Sequence, residues 1–355
     1  MAVGRRNLVE VVREVLRSAG LGAGDRLVVG LSGGIDSQTL THSLARLREQ
    51  GDGPDLRLVH VDHHLRTGSA NDACEVERIA HEMSLPLDVI SVDVEPWRVS
   101  LGQGVEAAAR AARYAALARA AAAWGTGWVA VGHNLDDQVE TVLMRLARGT
   151  SLDGLAGMRA VSSRSATLEP TGETQATINL VRPLLGVRRS EIEAYAAEHR
   201  LVPVVDESNL DPRFRRNAIR HALIPALERI VPGASAAIAR NADLLADDAD
   251  LLNSLAVAAF DACCRRLGST IQLDRDALRS QPRALQRRVV VLAAQAVSDG
   301  IELTRERVEA LRTAALSGNV GSRIEIGRGV SGLADYDCLL VGLDDQLRPE
   351  LRRIH

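Results

Sequence analysis

The first half of the chain alternates between short apolar runs and longer amphipathic segments. Four short runs are typical of buried strands: residues 27–29, 56–61, 87–92 and 128–131. In the segments after them, apolar residues recur at helical spacing: 38–49, 71–83, 105–123 and 136–147. This order predicts an α/β fold with a doubly wound, mostly parallel sheet and helices on both of its faces.

The pattern weakens after the fourth strand and helix. Residues 161–179 are polar and weakly patterned, which predicts a loop or a hairpin insertion. Order returns at 182–185, and a helix is expected over 190–199 with Ser190 as its N-cap.

From about residue 224 the chain reads as helical as far as 316, with little β signal. Two short strands are expected after that, at 323–326 and 338–341. We therefore divide the chain into an α/β domain, a linker helix and a smaller, mainly helical domain with a short β end: residues 1–222, 223–245 and 246–355.

Composition narrows the function classes. The 355 residues suffice for two domains, and the net charge of -3 argues against a uniformly basic nucleic-acid binder but leaves a local basic patch open. All 43 basic residues are arginines, so phosphate contacts must come from arginine, histidine, main-chain N–H groups or a metal ion.

Targeting and cysteine signals are weak. The four cysteines form no CxxC pair, which indicates neither a metal site nor a disulfide framework. No apolar run approaches membrane-spanning length and the N-terminal segment lacks a continuous apolar core. We therefore expect a cytoplasmic protein without a membrane partner. The oligomeric state is left open, with a homodimer as one alternative.

The stretch GLSGGIDS, residues 30–37, follows the first predicted strand directly. Glycines between a strand and a helix favour a phosphate-binding turn, although the pattern is neither the Walker motif nor the dinucleotide fingerprint. Aspartate would repel phosphate unless a cation lay between them, so Asp36 suggests Mg²⁺. The plainer alternative is a strand-to-helix turn capped by Ser37. The candidate phosphate-binding residues are Ser32, Gly33, Gly34, Ile35, Asp36 and Ser37.

Polar clusters also follow the second and fourth predicted strands. In HVDHHLR the side chains of His60, Asp62 and His64 alternate along an extended segment, which makes a zinc site a weak alternative. In GHNLDDQVE the spacing places Asp136 and Glu140 on one helical face with Asp137 to the side. Such carboxylates could hold Mg²⁺ or an ammonium group, or could serve only the helix dipole.

Arginines form two further candidate surfaces. Glu106, Arg110 and Arg113 share one face of the helix over 105–123, as a salt-bridge stripe or a phosphate contact. The most concentrated basic patch of the chain comes later and surrounds one aromatic residue, Phe214. It is either a solvated face or an RNA-backbone contact, and it consists of Arg213, Arg215, Arg216 and Arg220.

Several of these stretches resemble known families. SGGIDS resembles the SGGxDS loop of the PP-loop ATP pyrophosphatases, which cleave ATP between its α- and β-phosphates. The HxxDDxxET pattern at 133–141, Arg113-Tyr114, and the DxSN…FxRN pattern at 206–217 are similar to the lysidine-synthetase family. The resemblance runs from the first strand to about residue 222 and is weaker beyond it.

The lysidine-synthetase resemblance implies a reaction. ATP, with Mg²⁺, would adenylate C2 of a cytidine in the CAU anticodon of tRNA(Ile), and free L-lysine would then displace AMP. The implied catalytic residues are Asp36, Arg113, Asp137 and Glu140, with Asp36 as the Mg²⁺ ligand. The resemblance also implies main-chain contact between adenine and Val61, and RNA contact by the patch Arg213–Arg220.

Some positions depart from the family pattern, and other functions stay open. Asn134 stands where many members carry a second histidine, and the residues 203–205 stand where a tryptophan is common. A PP-loop tRNA thiolase is the nearest alternative, although the lack of CxxC counts against it. A small-molecule synthetase of the same superfamily and a non-catalytic nucleotide-binding module are the others.

Overall fold

The structure is a computed structural model of the chain. It describes the following residues: 7–64, 69–102, 104–172, 174–204, 215–298, 300–301, 303–317 and 319–347. The chain forms two compact units, Met1–Ala246 and Asp247–His355, so the division falls inside one long helix, α11 (Ala234–Cys263). We call them the first and the second unit.

The first unit is built on a six-stranded sheet in the order β3-β2-β1-β4-β6-β5. Neighbouring strands run parallel except for β5, which pairs antiparallel with β6. The predicted fold class is confirmed. The strands are β1 (Arg26–Gly30), β2 (Asp55–Asp62), β3 (Leu87–Ser91), β4 (Trp128–Ala130), β5 (Val161–Thr167) and β6 (Gln175–Val181).

Helices connect these strands and continue after them. Between α9 and α10 the chain makes one π-helical turn, Ile219–Leu223. The helices of the first unit before α11 are α1 (Leu8–Ser18), α2 (Ile35–Glu49), α3 (Ser69–Glu82), α4 (Glu95–Leu101), α5 (Val105–Ala123), α6 (Leu135–Arg148), α7 (Leu152–Leu155), α8 (Arg189–Glu198), α9 (Arg215–Ala218) and α10 (Ile224–Ile230).

No single helix among the described residues is long and apolar enough to cross a membrane. Arg215–Ile230 and Ala234–Cys263 reach that length and composition only when taken together, and they are bent by 98° at their junction.

Both faces of the first sheet are covered, which explains the continuous apolar runs in the sequence. In β1 the side chains alternate: Leu27 packs into one core cluster with Leu40 and Leu44 of α2. Val28 packs on the opposite face with Leu117 of α5. Since α2 and α5 cover opposite faces, neither helix covers the edge formed by the carboxyl ends of the strands between them. We call this edge the rim.

Two local predictions need revision. The polar segment 161–179 does form a hairpin, but β6 also pairs in parallel with β4, which the weak pattern did not predict. Ser190 is not the N-cap of α8, because the helix begins at Arg189 and Arg188 precedes it. The Glu191 carboxylate accepts a hydrogen bond from the Arg188 N–H at 3.0 Å and so caps that turn.

The second unit has a five-stranded sheet in the order β7-β8-β11-β10-β9. The sequence predicted strands only at the positions of β9 and β11. The β7–β8 hairpin interrupts the predicted helical stretch and turns at Gly268, which has a φ of +62°. The strands are β7 (Cys264–Leu267), β8 (Thr270–Asp274), β9 (Arg323–Gly327), β10 (Val330–Ala334) and β11 (Cys338–Leu343).

Three helices complete the second unit: α12 (Arg275–Ser280), α13 (Arg283–Val297) and α14 (Arg305–Ser317). Val289 and Val290 of α13 and Leu311 of α14 are fully buried against Leu339 and Val341 of β11. The unit therefore has a hydrophobic core of its own.

Candidate active site at the carboxyl ends of the parallel strands

The loop between β1 and α2 is held by its own serines. The Ser37 hydroxyl donates to the Gly34 carbonyl at 2.9 Å, accepts the Ser32 N–H at 3.2 Å, and lies 3.1 Å from the Ser32 hydroxyl. Gly33 has a φ of +82°, and a Cβ there would lie 2.8 Å from a methyl group of Val204. This turn therefore requires glycine at position 33.

A second glycine brings two motifs together. A Cβ on Gly132, after β4, would lie 3.0 Å from the main-chain carbon of Asp36 and the main-chain nitrogen of Ser37. Because main-chain atoms cannot move aside cheaply, only glycine allows this approach. The stretch GHNLDDQVE therefore packs directly against the first turn of α2.

Asp36 lies at the centre of this contact. Its Oδ1 accepts a hydrogen bond from the Asn134 side-chain amide at 3.0 Å, and its Oδ2 pairs with the Arg189 guanidinium at 2.5 Å. Burial raises the pKa of Asp36 and outweighs the opposing effects of Arg189 and Asn134. This carboxylate is thus partly desolvated and already balanced by one cation.

Sequence reasoning did not single out Arg189. It lies in the first turn of α8, beyond the carboxyl end of β6, and its main-chain N–H also donates to Asp136. Burial raises the pKa of Asp136 as well. The signal that could have found Arg189 was its position after a strand, but β6 itself was not recognised.

The two other predicted carboxylates form a network with two arginines. Glu140, whose side chain is 0% exposed, accepts from the Nε atoms of Arg216 and Arg220 at 2.5 Å each. One oxygen of Asp137 accepts from the same two guanidinium groups at 3.0 and 3.1 Å. We call Asp137, Glu140, Arg216 and Arg220 the acid–arginine network.

The structure adds a contact that the helical spacing did not predict. It is Asp137, rather than Asp136, that shares partners with Glu140. The other carboxylate oxygen of Asp137 accepts from the Asn134 N–H at 3.0 Å, and Asn134 accepts the Asp137 N–H at 3.0 Å. This capping box at the start of α6 turns Asp137 towards the arginines.

The histidines at the carboxyl end of β2 have partners of their own. The buried His60 ring contacts the Leu31 carbonyl through Nδ1 at 2.9 Å. Asp62 accepts the His64 N–H at 2.9 Å and lies 3.2 Å from Nδ1 of His64. In the described part of the chain no three His, Cys, Asp or Glu residues are grouped so as to hold a metal ion.

Arg113, the remaining predicted catalytic residue, stands in a second group of arginines around the buried Tyr114 ring. The guanidinium carbons of Arg164, Arg110 and Arg113 lie 4.2, 5.2 and 5.6 Å from the ring centre. Arg182, at the end of β6, also contributes to the charge around Tyr114. We call Arg110, Arg113, Arg164 and Arg182 the arginine cluster.

Burial and mutual repulsion act on this cluster. Burial lowers the pKa of Arg113, Arg164 and Arg182, and the charge of Arg110 lowers each of them further. Burial, followed by the charge of Arg113, lowers the pKa of His63 to about 4. The pKa of His133 is lowered for the same two reasons. Both histidines are therefore neutral near pH 7.

The predicted RNA-binding patch is only partly described. Arg213 lies outside the described residues, as does Phe214. Arg215 is exposed in α9, whereas Arg216 and Arg220 belong to the acid–arginine network. Among the described members of the patch, the structure thus separates Arg215 from Arg216 and Arg220.

The residues around Asp36 fit Mg²⁺ only if water and substrate phosphates supply most of its ligands. Mg²⁺ is commonly held by one or two carboxylates together with water and substrate phosphates. Asp36 supplies one partly buried carboxylate next to the glycine loop, and no second carboxylate contacts it among the described residues. Phosphate oxygens and water would therefore have to supply the other ligands.

Comparison with known proteins agrees with this arrangement. A family model described as a PP-loop domain matches residues 6–227. The tRNA(Ile)-lysidine synthase of Symbiobacterium thermophilum is 42% identical over 303 residues, which cover 82% of this chain and 60% of that protein. The tRNA(Ile)-lysidine synthase of Dehalococcoides mccartyi is 32% identical over 345 residues, which cover 96% of this chain and 72% of that protein.

One solved structure has the same fold. The U34-tRNA thiolase NcsA from Methanococcus maripaludis superposes with a TM-score of 0.53 at 19% identity, covering 68% of this chain and 78% of that one. At this identity the likeness concerns the fold alone. The chain spans 60% of the length of the Symbiobacterium relative. The chain belongs to the PP-loop family and, within it, to the family of the tRNA(Ile)-lysidine synthases.

Proposed function

We propose that the protein ligates lysine to C2 of the wobble cytidine in the CAU anticodon of tRNA(Ile), with ATP as co-substrate. The product, lysidine, would change codon reading from AUG to AUA and the amino acid from methionine to isoleucine. One observation carries the proposal: the hydrogen bond between Asp36 and Asn134 joins the SGGIDS loop and the HNLDDQVET motif into one site. The choice of tRNA(Ile) and lysine as substrates rests on family membership.

The nucleotide would bind at the rim above β1 and β2. The first N–H groups of α2 have no intrahelical partner and point towards the loop, as a phosphate site requires. The Val59 carbonyl accepts from Leu31 at the very end of β1. Val61, two residues further along, directs its main chain to the same side, past the end of β1. This direction supports the proposed hydrogen bond between the main chain of Val61 and an adenine ring.

The first chemical step would be attack of the cytidine C2 oxygen on the α-phosphate of ATP. The loop N–H groups, with the serines Ser32 and Ser37, would hold the departing pyrophosphate. Asp36 would hold Mg²⁺, which neutralises charge on the phosphates when bound. Arg189, now paired with Asp36, would keep that carboxylate charged and oriented before the nucleotide arrives.

The second step would be attack of the lysine amine on C2, with release of AMP. We keep Asp137 and Glu140 as the proposed lysine contacts. Since both carboxylates already bind Arg216 and Arg220, the lysine ammonium would have to share or exchange with a guanidinium group. A carboxylate in this position could also accept the proton that the amine loses before attack.

The RNA contact, location and assembly stay predictions. Arg215 is exposed and available to the RNA backbone. Arg216 and Arg220 could reach RNA only by leaving their carboxylates. Cytoplasmic location and a homodimer also stay predictions.

The test is a transfer assay with labelled lysine, ATP, Mg²⁺ and unmodified tRNA(Ile) carrying the CAU anticodon. We expect label on the RNA together with AMP and pyrophosphate, and little transfer to tRNA(Met). An Asp36→Ala variant should lose about 100-fold or more in rate. The matched control is Asp276→Ala in the second unit, whose side chain is 88% exposed, and it should keep full activity. Equal transfer to tRNA(Met), or none to either RNA, would refute the proposal.

A further inference from the structure

The arginine cluster has charge that nothing in the described structure neutralises. No carboxylate among the described residues lies within ion-pair distance of Arg110, Arg164 or Arg182, whereas Arg216 and Arg220 each contact two carboxylates. This is unusual in a chain of net charge -3, where acids outnumber bases. Like charges held together cost free energy unless an anion is bound among them.

The cluster is anchored in the fold by a buried arginine and is not a loose surface patch. Arg182 is 6% exposed and donates from one nitrogen to the Arg159 carbonyl at 2.7 Å and the Ser162 hydroxyl at 2.9 Å. The buried Nε atoms of Arg164 and Arg182 have no hydrogen-bond partner among the described residues. A buried donor without a partner is costly, and an anion bound beside the cluster would offset part of this cost through its charge.

Tyr114 holds the geometry. Its ring is 1% exposed, and the guanidinium groups of Arg164 and Arg110 lie against it at 4.2 and 5.2 Å. Cation–π contact fixes these side chains without using their N–H donors. Arg110 also approaches the Tyr114 hydroxyl at 3.5 Å. The two half-buried guanidiniums therefore present preorganised donors to solvent above a buried third one.

The chemistry of the cluster fits phosphate. Guanidinium groups bind phosphate oxygens in a bidentate manner and remain charged when partly buried. The position fits RNA rather than the pyrophosphate of ATP. Arg164 lies on the β5–β6 hairpin at the edge of the sheet, on the face covered by α5. The SGGIDS loop leads into α2, which covers the opposite face.

We propose that Arg110 and Arg164, held against Tyr114 and supported from below by Arg182, bind a phosphodiester of the RNA substrate beside the reacting cytidine. The inference rests on the proposed function, because it takes RNA as the substrate. It places the RNA backbone contact on the α5 and hairpin side of the rim, in addition to the exposed Arg215. Neither Arg110 nor Arg164 was predicted from the sequence to bind RNA.

The experiment measures binding of the unmodified tRNA transcript at several salt concentrations, and the KM for ATP in the transfer assay. The variants are Arg110→Gln, Arg164→Gln and their combination. The matched control is Arg119→Gln, which removes the same charge from the exposed side of the same helix. Each single variant should weaken tRNA binding about tenfold and reduce the slope of log affinity against log salt by about 0.7 to 0.9, and the combination should do more. The KM for ATP should stay within about twofold, and Arg119→Gln should match the wild type.

The outcomes separate the two proposals. If the wild type transfers lysine but both variants bind tRNA with an unchanged salt slope, the phosphodiester site is refuted while the proposed function stands. If the KM for ATP rises and tRNA binding does not change, the cluster serves the nucleotide, and the inference is again refuted. If the wild type neither binds tRNA nor transfers lysine, the proposed function fails and the inference fails with it. Because Arg110 and Arg164 lie on different elements, folding failure of one variant leaves the other as a test.

Discussion

Two groups of arginines in the first unit differ in one respect, the presence of acids. In the acid–arginine network, Arg216 and Arg220 surround a fully buried Glu140 and share Asp137. In the arginine cluster, the guanidiniums stack on Tyr114 without a carboxylate in contact among the described residues. Charge density along the sequence did not distinguish the two groups.

This difference suggests that the acid–arginine network stabilises the fold and that the charge of the arginine cluster serves to bind a ligand. A buried carboxylate that accepts hydrogen bonds from two guanidinium groups is fully paired. Removing its charge leaves both guanidinium groups without that partner, which destabilises the fold. Guanidinium groups without a carboxylate partner gain no stability from ion pairs. Their remaining N–H donors are available to a ligand. Mutation of the acid–arginine network should therefore lower stability in addition to any effect on lysine binding, whereas mutation of the arginine cluster should mainly weaken binding.

The largest effect is expected for Glu140→Gln. The change keeps the side-chain volume but removes the charge that balances Arg216 and Arg220, so the free energy of unfolding should fall by about 3 kcal/mol. Denaturant unfolding of the full chain measures this. The control is Glu193→Gln, which removes an exposed carboxylate 3.1 Å from Arg189 and should cost less than about 0.5 kcal/mol. Equal losses for both variants would show that the network is not a stability element.

The sequence predicted much of the fold because buried positions recur at regular spacing as apolar residues. The helix over 105–123 has the bounds of α5, and all four early strands appear within one or two residues. The β5–β6 hairpin carried no such trace, since its residues are mostly polar and half exposed. In the second unit, β7 follows α11 without a break and β8 leads directly into α12, so the pattern assigned both strands to the helical stretch around them.

The site was predictable where a motif lies in one continuous stretch. SGGIDS and HNLDDQVET were found, and the structure brings Asp36, Asn134 and Asp137 together. Arg189 and Arg164 were missed because each lies alone on an element that the pattern did not resolve. The pairing of Arg216 and Arg220 with distant carboxylates is a tertiary contact over about 80 residues, as between Glu140 and Arg220, and no local rule predicts it.

A second prediction tests whether the charge of the cluster reaches the neighbouring histidines. Because the folded-state pKa of His63 is about 4, below the ordinary 6.5, the unfolded chain binds more protons between these values. Stability should therefore fall as the pH is lowered from about 6.5 to 4, by at most about 1.4 kcal/mol per pH unit from this group. Asp36 and Asp136, with raised pKa values, act in the opposite direction, so His63→Gln against wild type isolates the histidine.

In Arg113→Gln the His63 pKa should rise above 4 yet stay below 6.5, because burial is the largest cause and remains. NMR titration of the histidine ring protons measures it, with Arg119→Gln as a control that leaves the pKa unchanged. A wild-type His63 with a pKa near 6.5 would show that its surroundings are more exposed to solvent and less positively charged than in the structure.

The smallest effect on stability is expected for Arg164→Gln, and its sign matters more than its size. The change removes a cation–π contact with Tyr114 but also relieves repulsion from Arg110, so the free energy of unfolding should change by less than about 1 kcal/mol. Added inorganic phosphate should then stabilise the wild type more than the variant, since only the wild type keeps both half-buried guanidinium groups of the cluster. Thermal unfolding at low salt, with and without phosphate, measures both quantities. A loss as large as that of Glu140→Gln would show that the arginines on Tyr114 hold the fold together, and the distinction between the two groups would disappear.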